Sequence, residues 1–294
     1  MSTGLSTRRL AMLALSALAV IWGYNWVVMK IAVAYAPPFQ FAAARAFGGS
    51  LVLFVVMMAL RRSLRPQFPW PYLWLGLFQT TGFLGLVTWA IVTAGVGKIS
   101  VLAYSMPLWV ALLAWPILGE RLRAAQLVAV GLAMLGILCI FDFVHAGRSI
   151  FGDALALAAG ISWAIGTIIA KRLQQRERDV DLLSMTTWQM FAGGAALVIV
   201  ASIVPGHATH WAPAYVGALA YNIFAATALA YVLWIYVLAK LPARDASMGT
   251  LANPLLGILA AWIQLGEVPT LIEAAGMFLV IAGLTVLTLT ASRK

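Results

Sequence analysis

The amino-acid sequence predicts an all-α polytopic membrane protein with ten transmembrane helices, arranged as two inverted five-helix repeats with both termini in the cytoplasm. This prediction rests on the composition, on ten long apolar runs and on motifs that occur once in each half. Of the 294 residues, 63% are hydrophobic and only 10% are charged, whereas soluble domains carry about 25% charged residues. A soluble chain with so few charges could not cover its surface, so the sequence is that of an integral membrane protein.

Ten apolar runs have the length of about 20 residues that a membrane-spanning helix needs. They lie at residues 10–35, 38–60, 71–93, 98–118, 124–144, 151–173, 182–204, 213–239, 245–265 and 271–291. The connections are short and contain turn residues such as Pro37-Pro38 and Gly147. The first run follows Arg8 and Arg9, as a secretory signal would, but it is too long for one. We expect it to remain as the first spanning helix.

The distribution of Lys and Arg predicts the orientation in the membrane. Fifteen of the 19 basic residues fall in loops or termini on one side, and only Lys98 and Arg148 fall on the other. Because cytoplasmic loops are enriched in Lys and Arg, the richer side is predicted to be cytoplasmic. The net charge of +10 does not indicate a nucleic-acid partner, since the basic residues form no continuous patch.

Two motifs are repeated in the two halves of the chain. Residues 22–30 (WGYNWVVMK) and 163–171 (WAIGTIIAK) both read Trp-x7-Lys. Residues 107–120 and 254–267 both read Pro-Leu-x6-Trp-x3-Gly-Glu, and they lie 147 positions apart, which is half the chain. The sequence therefore predicts one repeat over 1–147 and a second over 148–294. Five spans are an odd number, so the second repeat enters the membrane from the opposite side, an architecture typical of transporters.

These motifs resemble those of the EamA-type members of the drug/metabolite transporter superfamily, and the resemblance covers the whole chain. The Pro-to-Gly-Glu stretch that ends spans four and nine is the pattern that carries it. The resemblance implies a cell inner-membrane exporter, surrounded by lipid, that moves small molecules by alternating access. It also implies a cavity lined by spans one, three, four, six, eight and nine, with spans five and ten peripheral. Within the family the sequence is most similar to exporters of aromatic amino acids.

Helix faces provide candidates for the substrate site. On span one, Trp22, Asn25 and Trp26 share one face, and an amide facing lipid would be unfavourable. The other candidates are polar or aromatic residues on the spans that the family resemblance assigns to the cavity: Gln79, Tyr104, Trp163, Thr167, Tyr231 and Asn253. Interhelical hydrogen bonding is the alternative explanation for each of them. Pro107 and Pro254 each remove one helical hydrogen bond, so they are candidate gate hinges, or else static kinks.

Two basic residues inside spans are candidates for charges along the pathway. Lys30 lies near the end of span one and could simply extend to the interface. Arg45 lies deeper in span two, and its counterpart in the second repeat is Met190, so the repeat does not require a charge there. Every Asp and Glu falls near a span end or in a loop. The sequence therefore predicts downhill transport or exchange, without a proton-relay acid in the middle of the membrane.

Aromatic rings in the cavity would favour flat apolar rings or cations, while amides suit an amino acid. The predicted substrate is an amino acid, aromatic such as Trp or Phe or small and neutral such as Thr. An exporter of cationic aromatic drugs such as methyl viologen is the alternative, and the lack of a midspan acid argues against it. No span holds a His, Asp and Glu cluster, and Cys139 stands alone. We therefore expect no enzyme activity, no metal or other cofactor and no obligate protein partner.

Overall fold

Helices form all the regular structure in the described part of the chain. The computed structural model describes residues 2–120, 122–141, 148–241, 246 and 249–291. In chain order the helices are α1 (Ser2–Val33), α2 (Pro38–Ala59), α3 (Pro69–Leu75), π1 (Gly76–Gly82), α4 (Phe83–Thr93), α5 (Val96–Ala103), α6 (Met106–Leu118), α7 (Ala124–Ile140), α8 (Arg148–Arg176), α9 (Leu182–Ile203), α10 (Pro213–Ala220), π2 (Tyr221–Leu229), α11 (Ala230–Lys240), α12 (Ala252–Leu265) and α13 (Leu271–Ala291).

Each predicted span overlaps one helix or consecutive helical segments of the described part of the chain. Within the described residues, eight helices are long and apolar enough to cross a membrane. The predicted spans five and nine correspond to the shorter apolar helices α7, with 17 residues, and α12, with 14 residues. The predicted start of span nine at residue 245 and the boundary between the repeats at residue 147 lie outside the described residues.

The third and eighth predicted spans contain π-helical segments that the apolar pattern did not predict. π1 separates α3 from α4, and π2 separates α10 from α11 at the corresponding place in the second half. A π-helical turn inserts a residue and redirects the side chains that follow it, and such turns often occur at functional sites. Both segments carry lining residues of the central cavity described below, Gln79 in π1 and Ala226 in π2.

The fourth and ninth predicted spans are interrupted at matching positions. Tyr104 and Ser105 form a turn between α5 and α6, and Leu251 forms a turn immediately before α12. Pro107 lies in the first turn of α6, where the missing N–H removes no helical hydrogen bond. Pro254 occupies the corresponding place near the start of α12. The two prolines therefore begin new helical segments, and the expectation that each removes one hydrogen bond from a continuous helix is wrong.

The repeated Gly-Glu pair ends both of these helices in the same way. Gly119 and Gly266 adopt left-handed φ values of 73° and 67°, a conformation that glycine adopts without steric cost. The following N–H groups, of Glu120 and Glu267, each donate to a carbonyl six residues back, at 3.3 Å. These bonds satisfy carbonyls that would otherwise be unpaired at a helix end. The motif is thus a helix C-cap, and its repetition follows from the need to stop two equivalent helices.

Close helix contacts place the remaining elements. α2 packs along α9, α4 along α8, and α1 along α12. α7 packs along α13 through small residues, since a Cβ atom at Gly136 would lie 2.6 Å from the Gly276 carbonyl oxygen. Gly193 of α9 lies against Gly76 of π1 so closely that a Cβ on Gly76 would come within 2.8 Å of the Gly193 nitrogen. These contacts surround a central cavity to which α7 and α13 contribute no lining residue.

Candidate functional site

A cavity of about 250 Å³ lies where the helices of both halves meet. We call it the central cavity. Its lining residues are Trp22, Asn25, Trp26, Met29, Arg45, Gln79, Phe83, Leu84, Val87, Tyr104, Met106, Pro107, Trp163, Met190, Ala226, Tyr231, Trp234, Thr250, Leu251 and Asn253. Residues of α2 and α9 contribute to it, so the lining is broader than the six spans that the family resemblance implied. The added residues have long side chains, Arg45 on α2 and Met190 on α9, that reach the cavity.

Aromatic side chains form two groups along the cavity wall. Trp22 of α1 lies edge-on to Tyr231 of α11, with ring centroids 5.8 Å apart. Phe83 of α4 and Trp163 of α8 make a second edge-to-face pair with centroids 4.8 Å apart. Such pairs contribute about 0.5–1.5 kcal/mol beyond the area they bury. Each pair joins one residue from the first half of the sequence to one from the second and forms a rigid apolar surface against which a flat ring can pack.

The aromatic residues are also held in place by polar contacts to the backbone. The Trp22 indole N–H donates to the Ala226 carbonyl of π2 at 3.0 Å. A carbonyl in a π-helical segment is available for such a bond when the regular helical ladder is disturbed. The ring of Trp26 lies edge-on to the ring of Tyr104, with centroids 5.9 Å apart. Tyr104 belongs to the turn between α5 and α6. The interruptions in the helices thus support the aromatic wall.

Amide groups supply the polarity of the central cavity. Asn25 is buried, and its Oδ1 atom has no hydrogen-bond partner in the described part of the chain. Gln79 of π1 donates to the Thr167 hydroxyl of α8 at 3.2 Å, and that hydroxyl donates to the Trp163 carbonyl at 3.0 Å. Buried amides in apolar surroundings require partners. The unpaired oxygen of Asn25 can therefore accept a hydrogen bond from a bound molecule.

Arg45 is the basic side chain of the central cavity. It is buried, with 5% of its surface exposed. Its Nη1 atom lies 2.8 Å from the Met29 sulfur, and the guanidinium carbon lies 5.9 Å from the centre of the Phe41 ring. Within the described residues, its Nε atom has no hydrogen-bond partner. A guanidinium remains charged in a protein, so the cavity contains a permanent positive charge.

The structure brings together eight of the nine residues that the sequence analysis proposed as substrate-binding. The ninth, Thr167, does not line the cavity and instead bonds to Gln79 behind the wall. Of the proposed hinges, Pro107 lines the cavity, whereas Pro254 directly follows the lining residue Asn253. Arg45 lines the cavity and Lys30 does not.

Lys30 lines a second cavity, of about 500 Å³, between the end of α4 and the segment that follows α12. Its Nζ atom donates to the Ile91 carbonyl at 2.7 Å and to the Ala94 carbonyl at 3.4 Å. Glu267 lines the same cavity and accepts a bond from the Gly97 N–H at 3.3 Å. The carbonyls at the end of a helix attract a cation, so the position of Lys30 has a structural explanation.

Lys98 and Glu273, which line that second cavity, belong to a buried ion cluster that no sequence pattern predicted. Lys98 Nζ lies 3.1 Å from an Asp153 oxygen and 3.3 Å from a Glu273 oxygen, and the Asp153 side chain is fully buried. In the sequence, Lys98 falls in a predicted loop and both acids fall near the ends of predicted spans. A helical packing pattern does not reveal which span ends meet, so the cluster required the fold. It joins α5, α8 and α13.

The polar midspan threonines of the third predicted span have a packing function. Thr81 donates to the Gly193 carbonyl of α9 at 2.9 Å, and Thr80 lies 3.7 Å from the Met190 sulfur. Interhelical hydrogen bonds of this kind contribute about 0.6 kcal/mol each.

Lining residues that sequence reasoning did not propose include Phe83, Val87 and Trp234. Apolar side chains of this kind carry no polar signal that separates them from residues packed in the core.

The comparison with protein families decides the identity. The model of the EamA-like transporter family matches residues 9–142 and again residues 150–289. The chain belongs to the EamA-like transporter family. It is 30% identical to the transporter YoaV of Bacillus subtilis over 291 residues, which cover 96% of this chain and 98% of that one. EamA-like proteins are transporters, so this chain is a membrane transporter and not an enzyme.

Other relatives bear on export and location. A protein of Salmonella typhimurium named a probable amino-acid metabolite efflux pump is 28% identical over 90% of each chain. An inner membrane transporter of Escherichia coli, YedA, is 25% identical over 94% of this chain and 90% of that one. A solved crystal structure has a TM-score of 0.69 at 20% identity, covering 96% of this chain and 97% of its own, and it supports the fold alone. The EamA-like transporter described here is a multi-pass protein of the cell inner membrane.

Proposed function

We propose that the protein exports amino acids, aromatic ones such as Trp and Phe and small neutral ones such as Thr, together with related metabolites. The observation that carries this proposal is the central cavity, in which aromatic faces and unsatisfied amide groups from both halves of the chain meet. The sequence also resembles the aromatic amino-acid exporter YddG within the family. Two relatives named probable amino-acid metabolite efflux pumps, at 28% and 26% identity, support the same substrate class.

The size of the central cavity supports a small metabolite. Pockets for drug-sized ligands occupy roughly 300–1,000 Å³, whereas this cavity occupies about 250 Å³. An aromatic amino acid has one ring and two charged groups at the other end of the molecule. The aromatic pairs Trp22–Tyr231 and Phe83–Trp163 provide surfaces for the ring. The amides provide partners for the charged end.

Alternating access is the proposed mechanism, and it rests on the proposed inverted repeat of residues 1–147 and 148–294. In such a repeat Lys30 corresponds to Lys171, and Glu267 corresponds to Glu120. Lys171 and Glu120 form an ion pair at 3.5 Å, whereas Lys30 and Glu267, both in described parts of the chain, bind separate backbone groups. Two halves that exchange conformations would show such a difference at the two ends in any one state.

Both termini are proposed to lie in the cytoplasm with ten spans in all, because 15 of 19 basic residues fall on that side.

Among the described residues that line the central cavity, none is acidic. Proton relays across membranes use ionisable side chains at depth. We therefore propose that transport is downhill or by exchange, with no proton-relay acid in the cavity.

Export of cationic aromatic drugs such as methyl viologen is the competing function. Aromatic faces attract cations, and this cavity has several. Against it, the charged group that lines the cavity is Arg45, which would repel a cation.

Release from living cells tests the proposed function. Cells that express the protein would be loaded with dipeptides containing Phe, Trp or Thr, and the free amino acid released to the medium would be measured. We expect faster release than from cells carrying the empty vector. Trp22→Ala should reduce the effect, whereas the control Trp115→Ala, at a residue that is 51% exposed outside the cavity, should not. Unchanged amino-acid release with raised resistance to methyl viologen would favour the competing function.

A further inference from the structure

We infer that Arg45 is the receptor for a carboxylate group, so that the central cavity selects molecules that combine a carboxylate with an apolar ring. This inference deepens the proposed function and rests on it for the identity of the ligand's ring. It names what the charged end of the substrate contacts. It also predicts which related molecules the protein rejects.

The surroundings of Arg45 leave a place for an anion. The guanidinium is buried and lines the cavity. The guanidinium contacts the Met29 sulfur and the face of the Phe41 ring and interacts electrostatically with Tyr231, and none of these three carries a permanent negative charge. Its Nε atom has no hydrogen-bond partner among the described residues. Among the described residues, no acidic side chain that could neutralise the guanidinium lines the cavity.

A buried charge with no opposite charge is unfavourable unless something compensates it. Removing an ion from water costs several kcal/mol even after the protein relaxes. The packing of α2 does not require this charge, because Met190 occupies the corresponding position in the second half of the chain and lines the same cavity. A guanidinium presents donors in a fork that matches the two oxygens of a carboxylate. The missing partner is therefore best supplied by a carboxylate that enters the cavity.

The other lining groups fit the rest of such a molecule. Asn25 lies on α1, one helical turn before Met29, and its unpaired Oδ1 can accept a hydrogen bond from an ammonium group. Phe83 and Trp163 offer faces for a ring. A molecule with carboxylate, ammonium and ring would thus satisfy Arg45, Asn25 and the aromatic pair together. A cation without a carboxylate would leave Arg45 uncompensated and be repelled by it.

Binding to the purified protein in detergent tests this inference through three probes that share one ring. L-phenylalanine carries both charged groups, 3-phenylpropionate carries only the carboxylate, and phenethylamine carries only the ammonium. The wild type should bind phenylalanine most tightly, 3-phenylpropionate next and phenethylamine least. Arg45→Met should weaken phenylalanine binding about 10- to 150-fold, the range expected for loss of a hydrogen bond to a charged group. Arg45→Lys keeps the charge without the fork, so an intermediate loss is expected.

A merely structural role for Arg45 would lower all three affinities together. Our inference instead requires that Arg45→Met invert the preference between 3-phenylpropionate and phenethylamine. The control Arg172→Met removes an exposed cation that bonds to the Ile117 carbonyl, and it should leave the preference unchanged. If Arg45→Met does not fold, the preference of the wild type and of Arg45→Lys still decides the matter.

The outcomes separate this inference from the proposed function. If the wild type binds phenylalanine and Arg45→Met binds it equally well, the assignment of Arg45 as carboxylate receptor is wrong, and the proposal of amino-acid export is unaffected. If the wild type binds 3-phenylpropionate but neither phenylalanine nor threonine, the assignment of Arg45 is supported and the proposal of amino-acid export is wrong. If the wild type prefers phenethylamine, the assignment of Arg45 is wrong.

Discussion

The buried ion cluster gives a prediction whose magnitude follows from the structure. Lys98 lies 3.1 Å from Asp153 and 3.3 Å from Glu273, and the side chains of the three are 8%, 0% and 19% exposed. Removing one partner of a buried pair costs about 3–5 kcal/mol. Because Glu273 remains beside Lys98 in Asp153→Asn, we expect that variant to lose only about 2–3 kcal/mol of unfolding free energy. Glu273→Gln should lose about 1 kcal/mol, since its side chain is partly exposed.

The assay is reversible unfolding of the purified protein by titration with sodium dodecyl sulfate in mixed micelles, followed by tryptophan fluorescence. The double variant Lys98→Met with Asp153→Asn removes the charge that Asp153→Asn leaves poorly compensated. It should therefore be more stable than Asp153→Asn alone, because a buried charge that has lost its main partner is unfavourable and the second substitution removes that charge. The reasoning is refuted if Asp153→Asn changes the unfolding free energy by less than about 0.5 kcal/mol, the range of surface substitutions. It is also refuted if the double variant is less stable than Asp153→Asn alone.

Two further predictions concern helix interruptions and close packing. Pro107→Ala supplies an N–H that forms one more helical hydrogen bond, worth about 1 kcal/mol, only when α5 and α6 join into one continuous helix. Because this stabilises the joined helix against the interrupted one, we expect turnover in proteoliposomes to fall about 5-fold with little change in substrate affinity. Pro116→Ala, in the exposed last turns of α6, should match the wild type; equal rates for both variants would show that the interruption is not a hinge. Gly193→Ala places a Cβ against Gly76 and should cost about 1–3 kcal/mol of unfolding free energy in the detergent titration. Gly217→Ala, where a Cβ meets nothing within 4 Å, should instead be neutral or stabilise by about 0.5–1 kcal/mol; similar effects of the two glycine variants would contradict the packing argument.

The sequence was informative wherever a residue has one dominant physical function. Apolar runs of sufficient length predicted the helical segments, and the repeated Gly-Glu pair predicted equivalent ends for two of them. The structure supplies the reason for that repeat, because Gly119 and Gly266 both adopt the left-handed conformation. The face shared by Trp22, Asn25 and Trp26 also led to the central cavity, since the sequence periodicity of a helix fixes which side chains point the same way.

Features that depend on distant contacts were not predictable in this way. Thr167 shares a helix face with Trp163, yet it bonds to Gln79 behind the cavity wall, because π1 brings that amide to it. No sequence pattern signals a π-helical segment. Lys98 and Asp153 lie 55 positions apart, and only the packing of α5 on α8 brings their charges together. Midspan polar groups are therefore ambiguous in sequence between substrate contact and helix packing.

The central claim is that substrate crosses the membrane through the central cavity. The most direct measurement is counterflow of radiolabelled phenylalanine into proteoliposomes without an imposed ion gradient. The wild type would be compared with two variants. Trp163→Ala removes a ring of the cavity wall whose centroid lies 4.8 Å from that of Phe83. Trp211→Ala removes an exposed ring outside the cavity whose centroid lies 5.3 Å from that of Tyr215. We predict counterflow by the wild type and by Trp211→Ala, and at least an approximately 10-fold loss in Trp163→Ala, equivalent to about 1.4 kcal/mol. Equal counterflow by the two tryptophan variants, with equal amounts of folded protein, would contradict the account.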